Sequence, residues 1–260
     1  MKKILFTGLF GVLLPLGLFA HDFWIYSPNA TPAMGKLGAT TTLYVGNGHL
    51  FPLDEEYSSN AKTEFKMHQP DGAEKVLGEN LTGKMEILPK SGNYMVSAIA
   101  SPMIWNNYVN ESGNKAWMSG DKGNLKNIIS SRQYNKFAKS ILSTSDAKDE
   151  NYLKALGHSL EIIPLQNPNS IKVGEYLSVK VLFKGEPLEY AELIGTYAGF
   201  SNKGDFAYYT KTNSEGIAKI KINNSGNWML QTKFIEDAPK DLKSKCNEIY
   251  YASTLTFQAQ

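Results

Sequence analysis

The chain has 260 residues, 42% of them hydrophobic and 12% aromatic, which suffices for two packed domains or one large β-domain and speaks for packed cores against disorder. Its formal charge is +2; without Lys2 and Lys3, which belong to a segment read below as removable, 25 basic side chains face 25 acidic ones. So even a balance excludes the clustered positive charge of a nucleic-acid footprint. Cys246 is the sole cysteine, so neither an internal disulfide nor a cysteine-built zinc or iron–sulfur site is available.

In chain order, Lys2 and Lys3 precede an uncharged, mostly apolar run from Ile4 to Phe19, and Ala20 ends it before His21 and Asp22. This is the layout of a secretory signal peptide, and the run is short for a membrane-spanning helix. Cleavage is expected after Ala20, with Leu18 standing where a small residue is preferred; an uncleaved anchor is the alternative. No later stretch is long and apolar enough to span a bilayer.

From Asp22 the pattern is β. Asp22–Tyr26, Thr40–Val45, Thr63–His68, Met85–Leu88 and Asn93–Ala98 are short runs of β-branched and aromatic residues between Gly, Pro, Asn and Ser clusters. Residues 120–157 read differently. Leu125, Ile128, Ile129, Tyr134, Phe137, Ile141 and Leu142 recur at helical spacing, which predicts one or two helices. From His158 the β pattern returns in about seven strands, a number that suits an immunoglobulin-like sandwich. Pro164 places its strand at a sheet edge, because proline cannot donate to a ladder. Tyr176–Phe183 alternates cleanly, with Leu177, Val179, Val181 and Phe183 on one face. Ser91-Gly92-Asn93-Tyr94-Met95 is echoed by Ser225-Gly226-Asn227-Trp228-Met229, which either two related sandwiches or a shared hairpin preference would produce. The expected fold is mainly β: two immunoglobulin-like β-sandwich domains joined by a short helical segment. The boundaries are a signal peptide at 1–20, an N-terminal sandwich at 21–119, a helical linker at 120–157 and a C-terminal sandwich at 158–260.

Three histidines are candidate metal ligands. His21 would become the first residue after cleavage, and its α-amine and imidazole could together chelate an ion; the amine titrates near pH ~8, far below a lysine. His49 follows a strand in the glycine-rich turn Gly46-Asn47-Gly48-His49. His158 sits at the expected domain junction, where ligand sites concentrate. His68 reads as a strand-end residue. Asp54-Glu55-Glu56 could supply an oxygen ligand or accept a hydrogen bond from one of the histidines, or be a solvated loop. Nucleotide-loop, dinucleotide, zinc-protease and serine-hydrolase signatures are absent from the sequence, so no enzyme activity is expected.

The start His21-Asp22-Phe23-Trp24 resembles the exported proteins of a domain-of-unknown-function family tied to nickel uptake. These are the NikK-like periplasmic components of nickel or cobalt importers, formerly labelled NikM subunits. The likeness continues through Gly46-Asn47-Gly48-His49, Gly157-His158-Ser159-Leu160-Glu161-Ile162-Ile163-Pro164-Leu165, Phe183-Lys184-Gly185-Glu186-Pro187-Leu188 and Thr212-Asn213-Ser214-Glu215-Gly216-Ile217-Ala218. It implies a periplasmic sandwich protein that captures Ni²⁺, with Co²⁺ or Cu²⁺ as other candidates, and passes it to a membrane importer. His21, His49 and His158 would then be the ligands, giving four nitrogens with the terminal amine. Two other readings stay open: a copper protein (chaperone or oxidative enzyme) using the same terminal histidine, and a metal-free adhesion module presenting the stretch Trp105 to Trp117.

Overall fold

The computed structural model describes residues 21–55, 57 and 63–260; the expected signal peptide and Glu56 lie outside the described residues. The strands are β1 (Asp22–Tyr26), β2 (Ala39–Gly48), β3 (Glu64–His68), β4 (Glu74–Gly78), β5 (Lys84–Leu88), β6 (Asn93–Val109), β7 (Lys115–Ser119) and β8 (Ile128–Ser143) in the first half. The second half holds β9 (Leu160–Pro164), β10 (Tyr176–Phe183), β11 (Glu186–Pro187), β12 (Glu192–Tyr197), β13 (Tyr208–Lys211), β14 (Ile217–Lys221), β15 (Gly226–Asp237) and β16 (Glu248–Ala259).

The fold is mainly β, in sandwich-like layers. A nine-stranded sheet runs in the order β13-β12-β15-β16-β8-β6-β3-β4, with β7 paired to β6. A three-stranded sheet, β1-β2-β5, and a four-stranded sheet built on β10 with β9, β11 and β14 are the other layers. The large sheet passes through both halves of the chain, because β16 runs parallel to β8 from Glu248↔Arg132 to Thr256↔Ser140. Its two faces serve different cores. Met95, Phe137 and Ile141 join Leu177, Val179, Val181, Trp228, Leu255 and Phe257 in one. Tyr94, Val96, Ala138 and Leu142 join Phe23, Ile25, Leu43 and Phe65 in the other. Successive strand residues point to opposite faces, so the two small sheets cover opposite sides of the shared one.

This geometry corrects the helical reading of 120–157. Residues 128–143 form one sixteen-residue strand, and the helical pieces among the described residues are single 3₁₀ turns at Asn151–Leu153 and Pro168–Ser170. Phe137 and Ile141 point one way, Ala138 and Leu142 the other. A strand buried on both faces loses its alternation, and apolar residues at 137, 138, 141 and 142 then imitate a helical stripe. Three strands escaped the sequence pattern altogether. β4, β7 and the two-residue β11 are short and largely exposed, so none carries a core-facing run. The edge position of Pro164 holds: among the described residues β9 pairs with β10 alone.

The sequence echo has a structural counterpart. Each copy opens a long strand, β6 or β15, with a fully buried aromatic. Tyr94 Oη donates to Lys90 O at 2.7 Å, and Trp228 Nε1 donates to Asn224 O at 2.8 Å. Both bonds reach back four residues, so each sandwich has an aromatic tied to the turn that precedes its strand. A buried tyrosine or tryptophan needs such a partner for its polar tip. Cys246 is wholly buried in the C-terminal core, where burial pushes its thiol pKa up.

Between the layers lies one buried ion pair. Lys139 Nζ, on β8, donates to Glu161 Oε1 on β9, and both side chains are 2% exposed. Glu161 also accepts Leu156 N at 2.8 Å and Gly157 N at 3.1 Å. Removing one charge strands the other in a medium where it cannot be hydrated. Glu161→Gln is expected to cost about 3–5 kcal/mol of stability in urea unfolding. The double variant with Lys139→Met should recover most of that loss, and an unchanged urea midpoint for Glu161→Gln would show that the pair holds nothing together.

Candidate functional site

His21 and His49 meet at the end of the β1–β2 ladder. Asp22 pairs with Gly48, which brings the residue before β1 beside the residue after β2. The two imidazoles lie edge to face, with centroids 4.8 Å apart at 90°. His21 Nδ1 is 3.1 Å from Glu55 Oε2 and 3.4 Å from Asn47 Nδ2. Both rings are exposed to solvent. The cluster is therefore two imidazoles and a carboxylate at an open rim.

The loop that carries His49 is built by its neighbours. Asp54 Oδ2 accepts His49 N at 2.6 Å and Leu50 N at 3.2 Å. Glu55 N donates to Asn47 O at 3.0 Å, which folds residues 49–55 back onto the end of β2. Trp24 Nε1 donates to Pro52 O at 2.8 Å and ties the same loop to β1. The two glycines of Gly46-Asn47-Gly48 have separate reasons. A Cβ at Gly46 would lie 2.0 Å from the Trp24 indole, so the ring lies directly on the main chain. Gly48 has φ +126°, and a Cβ there would meet Asp54 Oδ2 at 2.3 Å. Of the acidic cluster, Asp54 shapes the loop and Glu55 faces His21, while Glu56 lies outside the described residues. Gly204 packs on His49 from the second half of the chain; a Cβ there would come 3.2 Å from His49 O.

His158 stands apart. It stacks on Phe137, centroids 5.3 Å apart at 29°, inside the C-terminal layer. Lys136, the residue before Phe137 on the same strand, reaches the opposite face, where its Nζ donates to His21 O at 2.6 Å. The shared sheet thus separates His158 from His21 and His49, and the expected set of three imidazoles does not assemble. Sequence reading put His158 at an expected domain junction; in the structure its side chain is buried against Phe137 and faces no open cleft. Among the described residues no group of three or more His, Cys, Asp and Glu side chains is arranged to hold a metal ion.

His68 has more structure than a strand-end residue needs. Its Nε2 is 2.8 Å from Ser97 Oγ and its Nδ1 is 3.1 Å from Glu74 Oε1, across β3, β4 and β6. Burial lowers its pKa, against the opposing pull of Glu74. The atoms match an acid–imidazole–hydroxyl relay, but Ser97 is only 5% exposed, in the interior of a strand. The relay satisfies buried polar groups across three strands. The residues that sequence reading missed at the rim are Lys136 and Lys233, brought in by strand pairing from far along the chain, where no local motif marks them; Asn47 lies inside the Gly46-Asn47-Gly48-His49 turn, and its side chain reaches His21.

The family model described as a domain of unknown function (DUF4198) matches residues 18–236, nearly all of the described chain. The chain belongs to the DUF4198 family. The family description carries no activity, so membership leaves the DUF4198 function to the site. No curated protein matches the sequence. Three solved structures are similar over most of their length. A DUF3823 family protein from Bacteroides uniformis is 11% identical, covering 92% of this chain and 100% of that one, with a TM-score of 0.24. The fibronectin(III)-like modules of Clostridium thermocellum CbhA are 8% identical, covering 89% and 93%, with a TM-score of 0.19. The FN1-FN3 domains of chicken CNTN1 are 12% identical, covering 90% and 68%, with a TM-score of 0.23. Scores this low bear on neither the site nor the function of this DUF4198 protein.

The buried His158 makes a test of its own. Burial lowers its pKa from 6.5 to about 4. The unfolded chain takes up this proton as pH falls below about 6.5, whereas the folded chain resists until about 4. Stability is therefore whole above pH 6.5 and is lost between there and about 4, by about 3 kcal/mol. His158→Phe keeps the stack on Phe137 and should flatten this part of the profile. Urea midpoints of the two proteins across that range check it, and parallel profiles would assign the acid loss to other groups.

Proposed function

We propose that this protein binds a late first-row divalent ion, nickel first among them, at His21 and His49 once the chain has been cut after Ala20. The observation that carries the reading is the pairing of the two imidazoles 4.8 Å apart with the Glu55 carboxylate 3.1 Å from His21 Nδ1. Nδ1 is the ring nitrogen that closes a six-membered chelate with the residue's own α-amine. His21, His49 and Glu55 do not by themselves form a metal-holding group of side chains; the α-amine freed by cleavage would complete the set, making the donors an amine and an imidazole from His21, the imidazole of His49 and an oxygen from Glu55. This three-nitrogen, one-oxygen set replaces the four-nitrogen square that needed His158. Such donors suit Ni²⁺, Cu²⁺ and Co²⁺, in an order of strength that favours copper. Both rings are solvent-facing, which suits capture and release of an ion more than its permanent storage. An exported protein that hands nickel to a membrane importer fits that rim.

The test is a titration of three purified forms with Ni²⁺: one beginning at His21, one with a single alanine ahead of it, and the His21-first form carrying His49→Ala. The first should bind one ion, and each of the others should bind at least ten times more weakly. Equal affinity in all three would remove this site. The same titration with Cu²⁺, followed by redox cycling of the bound ion, addresses the copper reading.

A second reading has its own observation. Trp105 and Trp117 are 37% and 45% exposed on one face of the β6–β7 pair, where Asn107 is opposite Trp117. Solvent-facing tryptophans of this kind suit a contact surface better than a core.

A further inference from the structure

β1 is paired with β2 along one edge, and the carbonyls of its other edge must find donors elsewhere. Three of them do so in a regular row. Ile25 O accepts Thr256 Oγ1 at 2.5 Å, Phe23 O accepts Thr254 Oγ1 at 2.8 Å and His21 O accepts Lys136 Nζ at 2.6 Å. The strand is thus seated on side chains of β16 and β8. The seat changes in character under residues 21 and 22. There Ala252 of β16 is flanked in register by Lys136 of β8 on one side and Lys233 of β15 on the other. Ala252, 4% exposed, is a small floor between two long cations. Lys136 holds the His21 carbonyl; Lys233 Nζ lies 3.1 Å from Asp22 Oδ1, an ion pair with a side chain only 7% exposed.

We infer that Lys136 and Lys233 are positioning residues for the ion site: a two-lysine clamp that fixes His21 so that its α-amine and Nδ1 address an ion together with His49. The inference rests on the proposed function. The physical reason is conformational. A terminal residue left to itself turns about its own φ, ψ and side-chain torsions, and each alternative conformer spoils the chelate. Anchoring the His21 carbonyl and the Asp22 carboxylate fixes the first peptide plane and leaves the ring to settle against His49 and Glu55. Threonines do the same work under Phe23 and Ile25, but a hydroxyl on β8 would fall short of His21 O, where the long lysine reaches. Groups that orient metal ligands from behind are typically worth about 10–100-fold in affinity.

The His21-first protein is compared with Lys136→Met, Lys233→Met, Lys136→Arg and Thr254→Val forms. Lys136→Met should weaken Ni²⁺ binding about 10–100-fold and alter the visible circular dichroism of the bound ion. Lys233→Met should weaken binding by a smaller factor. Lys136→Arg, which can still donate to His21 O, should restore both affinity and spectrum to near the parent. Thr254→Val removes a tie of the same strand away from the ion; it should lower the urea midpoint and leave the spectrum unchanged. Unchanged affinity and spectrum in both methionine variants would overturn the clamp. A second measurement separates this from failure of the metal reading. In the ion-free protein the nuclear Overhauser contact between the His21 and His49 rings should be lost in Lys136→Met and kept in Thr254→Val. If the parent binds no Ni²⁺, loss of that contact still upholds the clamp and its persistence overturns it.

Discussion

The structure depends on two adjacent strands, β16 and the second half of β8, being buried on both faces. A sheet covered on one side can leave the other to water; this pair cannot. Every residue of the central stretch has to satisfy one core or the other, and the parallel pairing from Glu248↔Arg132 to Thr256↔Ser140 fixes which. A slip of one residue would send Phe137 and Ile141 into the N-terminal core and Ala138 and Leu142 into the other. The cores differ in the size of side chain they accept from β8, so the register is held from both sides. The Lys139–Glu161 pair adds a polar constraint to the same strand, where an ammonium group has one carboxylate within reach.

That arrangement also decides where the chemistry can be. The N-terminal layer rests its first strand on the even-numbered face of β16, through Thr254 and Thr256, and ends at His21 over Lys136. His49 arrives at the same rim because β2 is the antiparallel partner of β1. The rim is a by-product of strand pairing and of where the first strand stops, and Trp24 over Gly46 keeps its loop closed against the sheet. On the opposite face His158 is buried in a stack on Phe137, uncharged across the neutral range.

Much of this was legible in the residues themselves. β1 and β10 have the bounds that alternation and turn residues assign them, and Pro164 marks an edge as its missing N–H requires. The repeated Ser-Gly-Asn-aromatic-Met stretch marks the same local device in two cores. The helix over 120–157 was misread for a reason intrinsic to the fold: a period of two is visible only when one side of a strand meets water, and β8 has little water on either side over its second half. The meeting of His21 with His49 could be anticipated as a pair of residues flanking neighbouring strands. The separation of His158 could not, because it turns on the parity of Lys136 and Phe137 on a strand that read as a helix. Lys136 and Lys233 lie 115 and more residues from the histidine they serve, and nothing near them in the chain sets them apart from other strand lysines.

The sole thiol of the chain is sealed in the C-terminal core, with its ionisation suppressed by burial. Thiolate is the reactive form, so a maleimide or spin-label reagent meets no competing nucleophile of that kind on the native surface. A cysteine introduced at an exposed position such as Lys203, beside Gly204 and the His49 loop, would therefore carry a dye or a nitroxide alone, in an otherwise native protein. Paramagnetic broadening from that single site would reach the rim where His21 and His49 face solvent, and would follow its two rings without Cys246 having to be removed from the packing it completes.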